Sequence, residues 1–253
     1  MEKELFSRVI LIIVLNFLLY IPTPQADDQA TSEPQGHEHL HFKDVPLLQA
    51  IDKGDLALVQ KLVKEGADID VELSNGMKPI HVAAATGQAD IAEFLLDSGA
   101  DVNSRSKKGI TPLNLALDTQ DIDTIKVLLS KEAQYSGSDI YGAIFKDHLD
   151  IVKLLVNTPE LANLTGRKNI TLLHVAAMAG RPAIVQYLID QGAKVDARSG
   201  DGDTALDLAT RNKQHLSGLV AQGISKEEIL GQGFNYDGYE TVISILKKYV
   251  SKK

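Results

Sequence analysis

The chain has no cysteine and no tryptophan, and aromatic residues make up only 5% of its 253 positions. Without cysteine, disulfides, thiolate nucleophiles and cysteine-based zinc sites are all excluded, and the redox compartment is left open. So few aromatics, set against abundant alanine and leucine, favour closely stacked helices over a β-sandwich. Positive charge is also short: 26 Lys and Arg against 34 Asp and Glu give a net charge of −8. A chain this acidic is not built to hold nucleic acid over its whole surface. Phosphate-binding loops, the G-x-S-x-G elbow, H-E-x-x-H and paired carboxylates in an evident cleft are all missing. No catalytic residue is expected, and no enzyme.

Long apolar runs are scarce too. The one that stands out is Val9 to Ile21 (VILIIVLNFLLYI), interrupted only by Asn16 and ended by Pro22. A membrane-spanning helix needs about 20 apolar residues, whereas the core of a secretory signal runs about 7–15. Residues 1–26 are therefore expected to be a signal peptide that sends the protein to the periplasm or outside the cell. An uncleaved anchor holding it at the membrane is the rival, because no A-x-A cleavage site follows. Glu2 and Glu4 cancel Lys3 and Arg8, so removing this segment leaves the net charge at −8. Residues 27–44 are polar and acidic and are expected to be a flexible linker. Within it His37, His39 and His41 alternate, which in an extended chain places all three on one side. Imidazoles so placed are a weak candidate for Zn, Cu or Ni, with no framework to fix them.

What is plentiful is self-similarity. MKPIHVAAATG (Met77 to Gly87) returns as ITLLHVAAMAG (Ile170 to Gly180), 93 residues on, and that interval divides into steps of 33, 27 and 33. One position then reads Ala50, Ala83, Ala116, Ala143, Ala176 and Ala209; another reads Leu62, Leu95, Leu128, Leu155, Leu188 and Leu246. Each unit holds two short apolar-periodic helices. Pro79 to Thr86 and Ala89 to Asp97 are the pair in the second unit, with proline opening the first helix and Gly99 closing the second. The recurrent alanine is expected where neighbouring first helices approach closely.

The units GMKPIHVA, GITPLNLA, NITLLHVA and GDTALDLA follow the pattern G-x-T-P-L-H-x-A, and the chain resembles the ankyrin-repeat family. That resemblance implies an all-α solenoid of about six helix-turn-helix units with hairpin-like finger loops. Residues 45–250 would form it, in units of about 45–72, 73–105, 106–135, 136–165, 166–198 and 199–250. No single unit buries enough surface to fold alone, so stability comes from stacking. The last unit carries an insertion at about 214–238, expected as a long loop with a short helix capped by Ser225 and Glu228. Its GQGFNYDGY stretch lacks the strand and helix of a dinucleotide site, so no cofactor is expected.

His174 and His81 sit among small apolar residues and look at first like catalytic or metal-binding groups. Their position across the units reads Leu48, His81, Asn114, Tyr141, His174, Asp207, and a catalytic role would not tolerate that variety. A hydrogen bond tying each finger to its helix would.

In the ankyrin family, partners usually bind the concave side, made by the finger tips and the first helices. Carried onto this chain, that surface comprises Asn75, Met77, Arg105, Lys107, Lys108 and Ile110 on two fingers. Arg167, Lys168 and Ile170 lie on a later finger, and Phe145, Met178 and Arg211 on first helices. Basic tips on an acidic protein point to a protein partner with an acidic segment, although loop lysines are also commonly just solvated. The expected protein is thus a monomeric, non-enzymatic interaction module outside the cytoplasm, without nucleic acid, touching membrane only if the leader stays as an anchor. Two other readings stand beside it. One, by family analogy, is a metal- or haem-handling accessory that supports catalase and oxidative-stress defence. The other is a secreted effector that binds a host protein. Asn163-Leu-Thr and Asn169-Ile-Thr match glycosylation sequons, with Asn169 at the usual glycine position of a finger.

Overall fold

The computed structural model describes residues 46–250, in which helices come in pairs and fall into two compact units dividing after Tyr135. The expected leader, the linker and the His37, His39, His41 tract lie outside the described residues. Among the described residues no helix is long and apolar enough to cross a membrane, and no group of His, Asp and Glu is arranged to hold a metal ion.

The amino-terminal unit contains three helix pairs. They are α1 (Pro46–Asp52) with α2 (Leu56–Lys64), α3 (Pro79–Ala85) with α4 (Ala89–Asp97), and α5 (Pro112–Thr119) with α6 (Ile122–Ser130). First helices pack side by side, α3 against both α1 and α5, and each also packs on its own second helix. The close approach expected at the alanine position is present: Ala50, Ala83 and Ala116 are at most 1% exposed. Threonine and aspartate begin the helices where sequence calls for a cap, as Thr111 accepts from the Asn114 N–H and Asp121 from the Thr124 N–H.

The carboxy-terminal unit holds α7 (Gly137–Phe145) with α8 (Leu149–Leu155), a one-turn α9 (Pro159–Ala162), and α10 (Leu172–Met178) with α11 (Pro182–Asp190). Then come α12 (Ala205–Ala221), α13 (Lys226–Gly231) and α14 (Gly238–Val250). Here α10 packs between α7 and α12, and α14 lies on both α11 and α12. One isolated β-bridge, Thr165 with Thr171, closes the finger before α10.

The sixth repeat departs from the expected loop. The turn that ends a first helix uses a left-handed residue: Gly54, Gly87, Gln120, Asp147 and Gly180 have φ between 61° and 70°. At the corresponding position stands Lys213, followed by Gln214, and the helix simply continues, giving α12 its 17 residues. Only α13 matches the expected short helix, with Ser225 and Glu228 capping each other's backbone N–H groups.

Gln120 takes the left-handed turn with a side chain that the conformation disfavours. Gln120→Gly is expected to raise stability by about 1 kcal/mol. An increase in the urea midpoint with unchanged slope would show it, and a decrease would contradict it.

Candidate functional site

These fingers are reverse turns, each spanned by a backbone hydrogen bond: Leu73 to Met77, Ser106 to Ile110, Gly166 to Ile170 and Ser199 to Asp203, the first N–H donating to the second carbonyl at 2.8–3.0 Å. Within each unit successive fingers are also joined through their backbones. Lys107 N–H donates to Asn75 O (3.0 Å), and Gly200 N–H donates to Lys168 O (2.5 Å), the same contact 93 residues later. Gly76 must stay bare here, because a Cβ would sit 2.6 Å from Lys107 N.

The buried histidines are latches, as their repetition implied, but their reach differs from the expectation. His174 Nδ1 accepts the Thr171 N–H (3.2 Å) and Oγ1–H (2.8 Å), so Nε2 carries the proton and donates to Asp203 O at 3.0 Å. His81 does the same, accepting from Lys78 N–H and donating to Ile110 O at 3.0 Å. Tyr141 reaches Ile170 O in the same way. Each latch therefore ties its first helix to the finger of the following repeat. At Leu48 the first helix has no such latch, although the finger of the second repeat, ending at Met77, follows it. Burial, the largest influence, pulls both imidazoles below their ordinary proton affinity, against the raising effect of the carbonyls they meet.

The expected contact residues sort themselves by what they already do. In the amino-terminal unit Lys107 and Lys108 are exposed at the tip, with no ion pair among the described residues. Met77 and Ile110 are half-buried beside them, and Asn75 is exposed while its Oδ1 accepts the Met77 N–H. Arg105 is exposed but braces its own finger by donating to Gly109 O, as Arg198 does to Gly202 O. That brace, rather than a free charge, is its role in the turn.

In the carboxy-terminal unit the corrections are larger. Ile170 was expected at a finger tip and is 4% exposed, because it stands at the base of the turn that the Tyr141 hydroxyl holds. Phe145 was expected to face a partner and instead lies under Phe234, ring centroids 5.3 Å apart and nearly perpendicular. Met178 is half-buried, and its carbonyl accepts from both Asn212 and Tyr239. Arg211 is exposed but forms a two-armed ion pair with Asp203 at 2.6 and 2.9 Å. Arg167 is exposed, and Lys168 faces Asp201 at 3.5 Å.

Sequence reasoning missed Arg181. Its side chain is 5% exposed, donating to Phe145 O (2.6 Å), Gly233 O (2.9 Å) and Asp147 (3.2 Å). The signal was the position itself, which reads Asp55, Gln88, Asp121, His148, Arg181 and Gln214. A side chain there meets the preceding left-handed turn: a Cβ on Gly54 would strike Gln88, and one on Gly87 would crowd Asp121.

The described residues also line an open groove of about 870 Å³ between α12 and α14. Leu206 and Ile243 form its apolar floor, and ion pairs join Arg211 with Asp203 and Lys213 with Glu240 along it. Leu206 corresponds to Leu47, Ile80, Leu113, Ile140 and Leu173, all at most 2% exposed. The groove is thus the outer face of the last helix pair, made polar by Thr210 and Lys247 where inner repeats carry apolar residues.

Comparison with known proteins agrees with this geometry. The family model for ankyrin repeats (three copies) matches residues 47–139 and 140–228. Curated relatives include palmitoyltransferase Hip14 of Drosophila melanogaster, 39% identical over 35% of this chain and 14% of that protein. Another is human protein phosphatase 1 regulatory subunit 27, 37% identical over 30% of this chain and 50% of the relative. The chain thus spans half or less of these relatives' own length. Among solved structures, a chain from the complex of the predatory endopeptidase Bd0816 of Bdellovibrio bacteriovorus with immunity protein Bd3460 superposes with a TM-score of 0.54 and 27% identity. The match covers 67% of this chain and 93% of that one. Repeated helix pairs, finger turns latched across repeats and a family match over most of the chain lead to one assignment: this chain belongs to the ankyrin-repeat family.

Proposed function

We propose that the protein is a non-enzymatic binding module that holds another protein through its finger edge, and that the amino-terminal unit offers the primary contact to an acidic segment. The observation that carries this reading is the pair Lys107 and Lys108, exposed at a finger tip on an otherwise acidic chain and without an ion pair among the described residues. Half-buried Met77 and Ile110 beside them give an approaching chain apolar surface. Arg167 adds a second basic tip in the carboxy-terminal unit, whereas Lys168 and Arg211 already have acidic neighbours. A protein partner is in keeping with the similar structure, which comes from an endopeptidase–immunity protein complex. It is also in keeping with a relative named as a phosphatase regulatory subunit. The apolar run Val9 to Ile21 supports action outside the cytoplasm.

Affinity capture with the full chain, followed by mass spectrometry, would find the partner. Lys107→Glu with Lys108→Glu should then weaken its binding roughly tenfold, mostly through slower association, and flatten the dependence on salt. Equal affinity and an equal salt slope for the double variant would remove the amino-terminal finger from the interface.

A further inference from the structure

The insertion in the sixth repeat forms a strap across the carboxy-terminal unit, at the ends of the first helices away from the fingers. Phe234 is 2% exposed against Phe145, and Asn235 N–H donates to Ala179 O at 2.9 Å. Gly233 passes so close to Phe145 that a Cβ would lie 2.1 Å from its ring. Arg181 locks this arrangement, since its guanidinium holds Gly233 O of the strap and Phe145 O of α7 together.

Beside that lock stands His148, whose Nε2 is buried and has no hydrogen-bond partner among the described residues. The charged groups that face the ring are Lys146 and Asp147 on its own turn and Arg181 from the start of α11. Tyr239 of α14 faces Arg181. We propose that His148 makes the strap an acid-released latch. In the protonated ring Nε2 is an N–H with no acceptor, and the ring is a second cation beside a buried guanidinium. Asp147, now between two cations, holds Arg181 less firmly, and movement of Arg181 toward water frees Gly233 O. Phe234 then leaves Phe145, and the aromatic surface that the strap covers is opened. Burial and then the nearby cations hold the ring's proton affinity down, so release belongs to acid below the ordinary histidine range.

The chain's lack of cysteine makes the test direct. Spin labels on Leu230→Cys, exposed on the strap, and Lys194→Cys, exposed in the same unit, report the separation. The expected result is one narrow distance at about pH 7.5 and a longer, broader one at about pH 5. Protection of the Asn235 amide, corrected for intrinsic exchange, should fall about tenfold or more over the same range. His148→Gln should abolish both changes, and His174→Asn should leave them in place. An unchanged distance distribution at about pH 5, or a His148→Gln protein that still opens, overturns the proposal. If His148→Gln does not fold, the amides of the His81→Asn, His174→Asn double variant, which lacks the other two buried rings that titrate in this range, decide. Loss at Asn235 with Lys107 still protected upholds local release, and simultaneous loss at both overturns it.

Discussion

Arg181→Met is expected to destabilise the carboxy-terminal unit by about 2–4 kcal/mol. The figure follows from what the guanidinium leaves behind. Phe145 O and Gly233 O each lose a charged donor at 2.6 and 2.9 Å, and a buried carbonyl without its donor costs about 1–3 kcal/mol. Asp147 contributes little to the loss, because its side chain is 42% exposed and returns to water. Methionine fills much of the vacated space, which separates the hydrogen-bond effect from a cavity. The loss should be local. Hydrogen exchange is expected to speed at the Asn235 amide and to stay unchanged at the Lys107 amide, because repeat proteins are stabilised by nearest neighbours. A variant with wild-type urea midpoint and wild-type Asn235 protection would show that Arg181 does not hold the strap.

The repeat architecture was legible because its causes are local. A proline or threonine opening a helix, a glycine ending it and an alanine where two helices touch are each specified by a few neighbouring residues, and six copies make the pattern plain. The latch role of His174 was readable for the same reason, since its counterparts at Tyr141 and Asn114 can hydrogen-bond but share no chemistry. Its direction was not readable, because Asp203 and Thr171 both lie within plausible reach of one imidazole in sequence, and only packing shows that the ring bonds to both. The candidate surface was less legible. Ile170 and Ile110 occupy the same place in the repeat, yet one is 4% exposed and the other half-buried, because their neighbours in the stack differ. Phe145 was misplaced because a segment about 90 residues away covers it, and no periodicity encodes that contact. The longer α12 was not signalled locally, because Gln120 and Asp147 make the same turn without glycine and a lysine at 213 does not by itself forbid it.

Acidification is expected to weaken both units, each through its own latch, His81 in one and His174 in the other. Each is buried, at 0% and 1% exposure, and each works as a neutral ring whose Nδ1 accepts a backbone N–H. Protonating Nδ1 would turn that acceptor into a donor aimed at another donor. Both folded-state pKa values accordingly lie below the ordinary 6.5, with burial the main cause. The unfolded chain then binds more protons than the folded one as pH falls from about 6.5 toward the lowered values. The stability linked to these rings is complete above about pH 6.5, declines through that window and is gone below the folded-state values. His174→Ala, which leaves the buried Thr171 N–H without its acceptor and opens a cavity, should cost about 2–4 kcal/mol at neutral pH. The pH dependence separates this from simple loss of packing. His81→Asn with His174→Asn places at both sites the residue that Asn114 already provides in the third repeat, capping Thr111 without a titrating group. That double variant should be less stable than wild type at about pH 8 but should lose less on acidification to about pH 5. Urea midpoints measured across that range decide the matter. If the double variant declines as steeply as wild type, the latches are not what makes this fold sensitive to acid.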